Sequence, residues 1–241
     1  MRFFLFITLG IFSLAGFCDE IKVLSGGAAR GFVEPLAASF QAHAVKLEYQ
    51  TMGHLMKTMA SAEAARYDML IVTTEVAPKL QLADVKPLAR VGIGVAVNEK
   101  APLPDISTVD SFKRTLLAAK SIVYINPQTG TSGKYVVEAF RKLGIEDQMR
   151  TKTTLVDSGY AVAPVGRGEI ELGIHQISEI LPVKGVRLVG PLPPELQKYT
   201  VYVAAALPGT QKKPAVDAFI AHLTGSEARS RLAQAGYTSP E

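Results

Sequence analysis

The sequence predicts an α/β protein of two lobes, in which helices cover sheets of mostly parallel strands. Three observations lead to this prediction. Short apolar segments typical of strands alternate along the chain with segments of helical periodicity. Small polar residues follow several of the strands. Two longer strand-like segments, Val91–Val97 and Tyr199–Ala206, divide the alternation into two series, and we expect them to be crossover strands that join the lobes as a hinge.

The amino-terminal residues have the pattern of a secretory signal peptide. Arg2 supplies a positive start, and residues 3–14 are almost wholly apolar. That segment is shorter than the roughly 20 apolar residues of a membrane-spanning helix. Small residues at Gly16 and Cys18 predict cleavage after Cys18, so residues 1–18 would leave the mature chain in the periplasm. A membrane anchor and a lipoprotein attached through Cys18 stay open as alternatives.

The composition is that of a folded protein. Of the 241 residues, 48% are hydrophobic and 20% are charged, which is unlike a disordered chain. Cys18 is the only cysteine, so we expect no disulfide and no cysteine-ligated metal in the mature chain. The net charge of +4 comes without a basic run interleaved with aromatic residues, which argues against nucleic-acid binding and suits an anionic ligand.

The first series of strands and helices precedes Val91. Its strands are predicted at residues 21–24, 45–49 and 68–72, and its helices at residues 28–42 and 54–65. The last of these strands is a continuous apolar run, typical of a strand buried on both faces. Ligands of parallel sheets bind at the carboxyl ends of the strands, which here carry Ser25–Gly27, Thr51–Gly53 and Thr73–Thr74.

The second series has the same alternation. Its helices are predicted at residues 109–118, 132–143 and 161–166, and its strands at residues 121–125, 153–156, 171–175 and 186–189. Two helices, residues 214–223 and 226–235, complete the chain. We therefore predict a lobe I of residues 19–95 and 205–241 and a lobe II of residues 96–204. A single continuous doubly wound domain is the alternative.

Several helices of both series begin just after small polar loops, an arrangement that suits an anion. Helix amino termini present free N–H groups and a positive dipole end, and glycine lets the backbone approach the ligand. Arg30, in the first turn of the first helix, could grip a carboxylate with two hydrogen bonds. The candidate ligand-binding residues are Ser25, Gly26, Gly27, Arg30, Thr51, Gly53, Thr73, Thr131, Ser132, Gly133, Tyr160 and Gln176.

Two histidines are candidate acid–base groups. His54 follows the second strand and His175 ends a strand of the second series, and imidazole exchanges protons readily near neutral pH. We expect Glu179 to cap the short helix that opens near Ser178, although its carboxyl group could also transfer protons. The scattered histidines form no cluster with metal-ligand spacing, so the prediction includes no metal and no cofactor.

Several motifs resemble the periplasmic molybdate-binding protein family. They include Tyr67–Val72, Asn126–Gly133, Gly168–Ile174 and Phe219–Ala228, and the resemblance covers essentially the whole mature chain. It implies a type II periplasmic binding protein fold with a cleft between two lobes. The serines that hold the oxyanion in that family would fall near Ala28 and near Met52 or Gly53, and a tyrosine of its second lobe would fall near Gln176. Because the first two positions offer no hydroxyl group, an organic acid is favoured over molybdate.

One subgroup of that family is more similar to this chain, and it includes an aconitate isomerase activity. The similarity lies in residues 101–108, 176–182 and 190–197. Two functions follow as hypotheses. The favoured one is a monomeric solute-binding protein that captures a small anion and delivers it to an ABC transporter permease. The alternative is a metal-independent isomerase that interconverts trans- and cis-aconitate on the same scaffold, with His54 and His175 as its catalytic residues.

Overall fold

The computed structural model describes residues 20–240. The predicted signal peptide, residues 1–18, and its cleavage site at Cys18 lie outside the described residues. In the part of the chain that is described, no helix combines the length and the apolar character needed to cross a membrane.

Strands and helices alternate over the described chain. The strands are β1 (Ile21–Gly26), β2 (Val45–Gln50), β3 (Met69–Thr73), β4 (Lys86–Asn98), β5 (Ile122–Ile125), β6 (Thr153–Val156), β7 (Leu172–Gln176), β8 (Val186–Pro191) and β9 (Tyr199–Ala206). The α-helices are α1 (Arg30–Ser39), α2 (Met52–Met59), α3 (Val109–Ala118), α4 (Thr131–Lys142), α5 (Glu146–Arg150), α6 (Ala163–Gly166), α7 (Ile177–Ile180), α8 (Lys213–Thr224) and α9 (Ser226–Arg231). Single 3-10 turns lie at Gly27–Ala29, Ala62–Arg66, Ala77–Leu80 and Ala233–Ala235.

The strands follow the order β2-β1-β3-β9-β4-β7-β5-β6, with β8 also paired to β4. In the first strand group, β1 is parallel to β2 and β3, while β9 runs antiparallel between β3 and the first half of β4. In the second strand group, β5 is parallel to β6 and β7, while the second half of β4 runs antiparallel to β7 and β8. The predicted α/β arrangement is confirmed, with parallel pairing among β1, β2 and β3 and among β5, β6 and β7, while β4, β8 and β9 add antiparallel pairs.

Strand β4 belongs to both groups and changes partner at its middle. Lys86–Gly92 pairs with β9, and Ile93–Asn98 pairs with β7 and β8. At the change-over the Gln197 side chain takes the place of a strand partner. Its Oε1 accepts from the Ile93 N–H group, and its Nε2 donates to the Ile93 carbonyl, each at 2.9 Å. The pairing makes β4 longer than the predicted Val91–Val97 segment.

Separate apolar clusters pack on the faces of the two strand groups. Phe32, Leu36 and Phe219 pack on one face of the first group, and Leu24 and Leu55 pack on the other. The second group is covered in the same way, by Phe112, Phe140 and Leu116 on one face and by Val123, Val162 and Val165 on the other. All five residues of β3 are buried, as the continuous apolar run predicts.

Most element positions agree with the prediction, and the differences have local causes. Helix α3 has the predicted bounds because Thr108 and Ser111 form a reciprocal capping box. The helix predicted over residues 54–65 ends at Met59, and the chain restarts as a 3-10 turn in which Ser61 accepts from the Glu63 N–H group. The sequence analysis missed α5, whose five residues are too short for a periodic signal.

The strand pairing indicates the positions at which the chain passes from one strand group to the other. All of β9 pairs with β3 and the first half of β4, so it lies in the first strand group. The division into two lobes stays a prediction. This pairing favours crossing points near Ile93 and Tyr199, rather than the predicted ones at residues 95 and 205.

Candidate functional site

A cavity of about 120 Å³ lies where the two strand groups face each other. The strand ends and helix starts of both groups line it. Pockets that bury drug-sized ligands measure roughly 300–1,000 Å³, so this cavity suits a small molecule. The predicted residues that line it are Gly27, Arg30, Thr51, Thr131, Ser132, Tyr160, His175 and Gln176.

The other predicted site residues do not line the cavity. Ser25 and Gly26 belong to β1 rather than to a loop, and the buried Ser25 hydroxyl donates to the Gly26 carbonyl at 3.2 Å. Thr73 ends the fully buried strand β3. Gly133 lies against the Ile125–Pro127 backbone, where a Cβ atom would clash. Close packing therefore explains why small residues occur at these positions.

Gly53 and His54 lie at the start of α2, outside the cavity lining. The Gly53 N–H group donates to the Thr129 carbonyl at 2.8 Å, which joins the two strand groups beside the cavity. A Cβ atom at Gly53 would approach the Thr129 backbone to 3.0 Å. The His54 Nδ1 lies 3.0 Å from the Thr51 hydroxyl. The structure thus gives Gly53 a packing role and does not bring His54 together with His175.

Arg30 supplies positive charge at the edge of the cavity. It begins α1 directly after the 3-10 turn, and its guanidinium carbon lies 4.0 Å from the ring centroid of Tyr49. The side chain is 41% exposed, and its ion pair with Glu34 is long, at 3.8 Å. Stacking on an aromatic ring holds the planar guanidinium while leaving its donors free for a carboxylate.

The start of α4 forms the opposite wall. Gly130 precedes the helix without a side-chain cap, so the N–H groups of the first turn are not satisfied by a capping side chain. Thr131 and the buried Ser132 line the cavity at this point. The helix has 12 residues, and its positive end therefore faces the space where an anion would lie.

His175 and Glu179 form a buried pair on the floor of the cavity. The Nδ1 atom of His175 lies 3.2 Å from Oε2 of Glu179 and 3.4 Å from the Ser132 hydroxyl. The Gln176 N–H group donates to the same Nδ1 at 2.8 Å. The Nε2 atom of His175 is buried and has no hydrogen-bond partner within residues 20–240.

Burial shifts both groups of this pair toward their neutral forms. It lowers the pKa of His175 to about 4, and a weaker interaction with the Gly159 backbone opposes that shift. It raises the pKa of Glu179 to about 8, and the charge of Arg30 offsets only part of that effect. Perturbed titratable groups in a cavity mark it as a candidate functional site.

The expected role of Glu179 as a helix cap is wrong. Helix α7 has no side-chain cap, and the Glu179 carboxyl group lies against His175 instead. The i, i+4 spacing of these two residues across the β7–α7 junction was the available signal. Glu179 is one of the lining residues that the sequence analysis did not include among its site residues; the others are Ala28, Tyr49, Gln50, Met52, Ile125, Gly130, Ser158, Gly159 and Tyr202.

Gln176 is held by the first strand group. Its Nε2 donates to the Thr200 hydroxyl at 2.6 Å, and its Oε1 accepts from the Tyr202 hydroxyl at 3.2 Å. Burial raises the pKa of Tyr202 well above its usual value, so this phenol stays neutral. Among residues 20–240, no group of three or more histidine, cysteine or acidic side chains could hold a metal ion.

Comparison with known proteins assigns the family. Residues 21–238 match the family described as bacterial extracellular solute-binding protein. The chain belongs to this family. This family description, which names extracellular solute-binding proteins, agrees with a small cavity between the two strand groups.

Two curated relatives differ in the activity that their names state. An aconitate isomerase of Pseudomonas sp is 28% identical over 228 residues, which cover 90% of this chain and 86% of that protein. The molybdate-binding protein ModA of Escherichia coli K12 is 31% identical over 147 residues, which cover 60% of this chain and 57% of ModA. The predicted relation to the molybdate-binding family is confirmed.

A solved structure confirms the fold class. The periplasmic molybdate-binding protein of Azotobacter vinelandii superposes with a TM-score of 0.77 at 19% sequence identity, covering 92% of this chain and 100% of that protein. The predicted type II periplasmic binding protein fold is therefore correct. At this identity the likeness concerns the fold alone.

Proposed function

We propose that the cavity binds a small organic anion with more than one carboxylate group. The observation that carries this proposal is the Arg30 guanidinium at the cavity edge, with the uncapped start of α4 on the opposite wall. Each is a strong partner for a carboxylate. Their separation on two walls favours a ligand that presents negative groups at two ends.

The apolar part of the lining supports an organic ligand over an oxyanion. Ala28 and Met52 line the cavity at the two places where the molybdate-binding family is expected to supply serine hydroxyls. A methyl group and a thioether solvate a carbon skeleton better than they solvate a tetrahedral oxyanion. Ile125 adds a third apolar contact.

In this proposal the chain is a monomeric periplasmic carrier that releases its anion to an ABC transporter permease. Family membership supports solute binding, and the two strand groups joined through β4 supply a cleft that could close on the solute. Neither a metal nor a cofactor is required, because donors on the chain itself face the cavity.

A second candidate is the isomerisation of a tricarboxylate. Two observations favour it: the relative named aconitate isomerase matches most of the chain, and His175 with Glu179 offers an acid–base pair in the cavity. In such a reaction the pair would take one proton from the methylene carbon. The double bond would shift, and the proton would return to the former alkene carbon, so no other reactant is needed.

Thermal unfolding of the chain with a panel of ligands tests both candidates. The panel contains molybdate, tungstate, sulfate, citrate, cis-aconitate and trans-aconitate. A ligand that binds only the folded state raises the melting temperature, and we expect this from the tricarboxylates. A shift with molybdate or tungstate alone would contradict the proposal. If trans-aconitate binds, its ultraviolet absorbance distinguishes a stable complex from conversion to the cis isomer.

A further inference from the structure

The proposed anion site contains a carboxyl group of its own. Glu179 lines the cavity, and its side chain is only 13% exposed. Two carboxylates confined in a small cavity repel each other strongly, because little water screens them. An anion can therefore share this space only if the negative charge of Glu179 is neutralised.

The surroundings of Glu179 supply no cation in contact with it. The titratable groups that face it are His175 on β7, Arg30 on α1, Tyr202 on β9 and Tyr237 near the carboxyl end. Within residues 20–240, no lysine or arginine lies within 4.0 Å of its carboxylate. The two tyrosines are buried and their pKa values are raised, so they stay neutral.

The hydrogen bonds of His175 indicate where the proton lies. Its Nδ1 accepts from the Gln176 N–H group at 2.8 Å, which makes this nitrogen a proton acceptor. An ionised carboxylate 3.2 Å away would then set one lone pair against another. The contact is attractive when Glu179 carries the proton and donates it to Nδ1, whose one lone pair is then shared between Glu179 and the Gln176 N–H group in a three-centre bond. The neutral ring then carries its own hydrogen on Nε2, which has no acceptor within residues 20–240.

We propose that the cavity takes up its anion together with one proton, held by Glu179 against His175, and that ionisation of Glu179 expels the anion. This inference rests on the proposed anion-binding function and adds the residue that sets the charge of the ligand. While Glu179 is neutral, Arg30 and the start of α4 dominate the cavity and favour anions. An ionised Glu179 beside Arg30 would instead suit a zwitterion, such as an amino acid.

Isothermal titration calorimetry with trans-aconitate and citrate tests this proposal between pH 6.5 and 9.5. All carboxyl groups of both probes are ionised over the upper part of this range. We expect the Kd to rise by up to about tenfold per pH unit above pH 8, as for the linked release of one proton. At pH 8, titrations in buffers of different ionisation enthalpy should show uptake of about half a proton per anion.

Two variants locate the proton. Glu179→Gln keeps a neutral side chain at all pH values, so its affinity should lose the dependence on pH. Glu227→Gln removes a carboxylate that is 50% exposed and lies outside the cavity lining, and it should follow the wild type. The wild-type titrations remain decisive if Glu179→Gln fails to fold.

The outcomes separate this inference from the proposed function. Binding with a Kd that is constant across the range, without proton uptake, would overturn the proton coupling and leave anion binding intact. A Glu179→Gln variant that keeps the wild-type pH dependence would also overturn it, because the proton would then belong to another group. The free amino acid alanine serves as a zwitterionic probe. If it binds more tightly as the pH rises, Glu179 is ionised and the cavity is a zwitterion site, which would also overturn the proposal. No binding of any probe by the folded chain would overturn the proposed function itself.

Discussion

Two buried carboxyl groups, Asp68 and Glu179, have opposite surroundings. Asp68 accepts hydrogen bonds from the Lys22 N–H group at 2.9 Å, the Thr210 hydroxyl at 2.9 Å and the Lys212 ammonium at 3.0 Å. Burial alone would raise its pKa, but these partners outweigh burial and lower it. The Glu179 carboxyl group lies 3.2 Å from His175 and forms no ion pair with a lysine or arginine among residues 20–240, and burial raises its pKa to about 8.

The two groups differ in whether hydrogen-bond donors and a cation offset the cost of burying a negative charge. Asp68 has such partners and is structural, whereas Glu179 lacks a paired lysine or arginine and belongs to the proposed site. The partners of Asp68 come from distant parts of the chain, so its charge ties together β1, the start of β3 and the segment before α8. The raised pKa of Glu179 favours its protonated form, and its side chain lines the cavity. A buried carboxyl group that has no cation beside it is therefore a better indicator of a functional site than burial of a carboxyl group alone.

The largest effect is expected from removing the compensated carboxylate. Asp68→Ala leaves the Lys22 N–H group and the Thr210 hydroxyl without their acceptor and removes the ion-pair partner of Lys212, so we expect it to lower the free energy of unfolding by about 2–4 kcal/mol. Urea denaturation measures this change. Glu227→Ala removes an exposed partner of Arg231 and should change stability by less than about 1 kcal/mol. Equal effects of the two substitutions would contradict the structural role of Asp68.

Next in size are the anion donors that face Glu179 across the cavity. We expect Arg30→Ala or Thr131→Ala to weaken anion binding by about 1–3 kcal/mol, since each removes a hydrogen bond to a charged ligand. Calorimetric titration with trans-aconitate measures the loss. Arg231→Ala is the control, because that guanidinium pairs with Glu227 outside the cavity lining. Unchanged affinity in both cavity variants would show that the anion lies elsewhere.

The pH dependence of the free energy of unfolding tests whether the pKa of Glu179 is raised while that of Asp68 is lowered. Burial raises the pKa of Glu179 in the folded chain to about 8, whereas an exposed glutamate in the unfolded chain has a pKa near 4.5, so the fold loses stability as the pH rises between these values. Below pH 6.5 the lowered pKa of His175 acts in the opposite direction and cancels this trend. From pH 6.5 to 8 the wild type should therefore lose about 1–2 kcal/mol relative to Glu179→Gln. Urea denaturation at both pH values checks this; a constant difference would contradict the raised pKa.

The smallest effect is expected at the contact between the strand groups beside the cavity. A methyl group at Gly53 would press on the Thr129 backbone, so Gly53→Ala should weaken trans-aconitate binding by about 1 kcal/mol. In the free chain the two strand groups can move apart, which would relieve the contact between the added methyl group and Thr129. The melting temperature of the free chain should therefore change little. Gly31→Ala is the matched control, because its added Cβ meets only ordinary contacts in α1. A loss of stability without a loss of affinity would indicate groups held in one fixed arrangement.

The fold was predictable because its signals are local. The alternation of apolar segments located every strand, and the Thr108 cap fixed the start of α3. The cavity was predictable in part, since Arg30 and Thr131 follow the carboxyl ends of β1 and β5, and both line the cavity from opposite strand groups. Ser25 and Thr73 were also predicted to bind the ligand, but both are buried within strands outside the cavity lining, and sequence alone cannot distinguish these two surroundings.

The pairing of His175 with Glu179 is the part of the candidate site that was not predicted from the sequence. His54 and His175 were named as the candidate acid–base residues, and Glu179 was expected mainly to cap a helix. The pKa of Glu179 depends on burial by residues from β9, α1 and the carboxyl end, which no local pattern connects. Long-range desolvation becomes visible only when the chain has been folded in three dimensions.

The Gln197 side chain, which bonds to Ile93 near the middle of β4, affects how easily that strand can bend. A bend elsewhere in β4 would have to break main-chain hydrogen bonds, shared with β9 in its first half and with β7 and β8 in its second half. Ile93 pairs in register with Gln176 of β7, but its N–H group bonds to a flexible side-chain amide, and its carbonyl accepts from that amide and from the Leu192 N–H group. The two bonds to the amide can tilt and re-form as one unit. The strand is therefore most compliant at this point, and shortening Gln197 to Ala would soften the joint without touching the cavity. A fluorophore on either side of it would turn such bending into an optical signal.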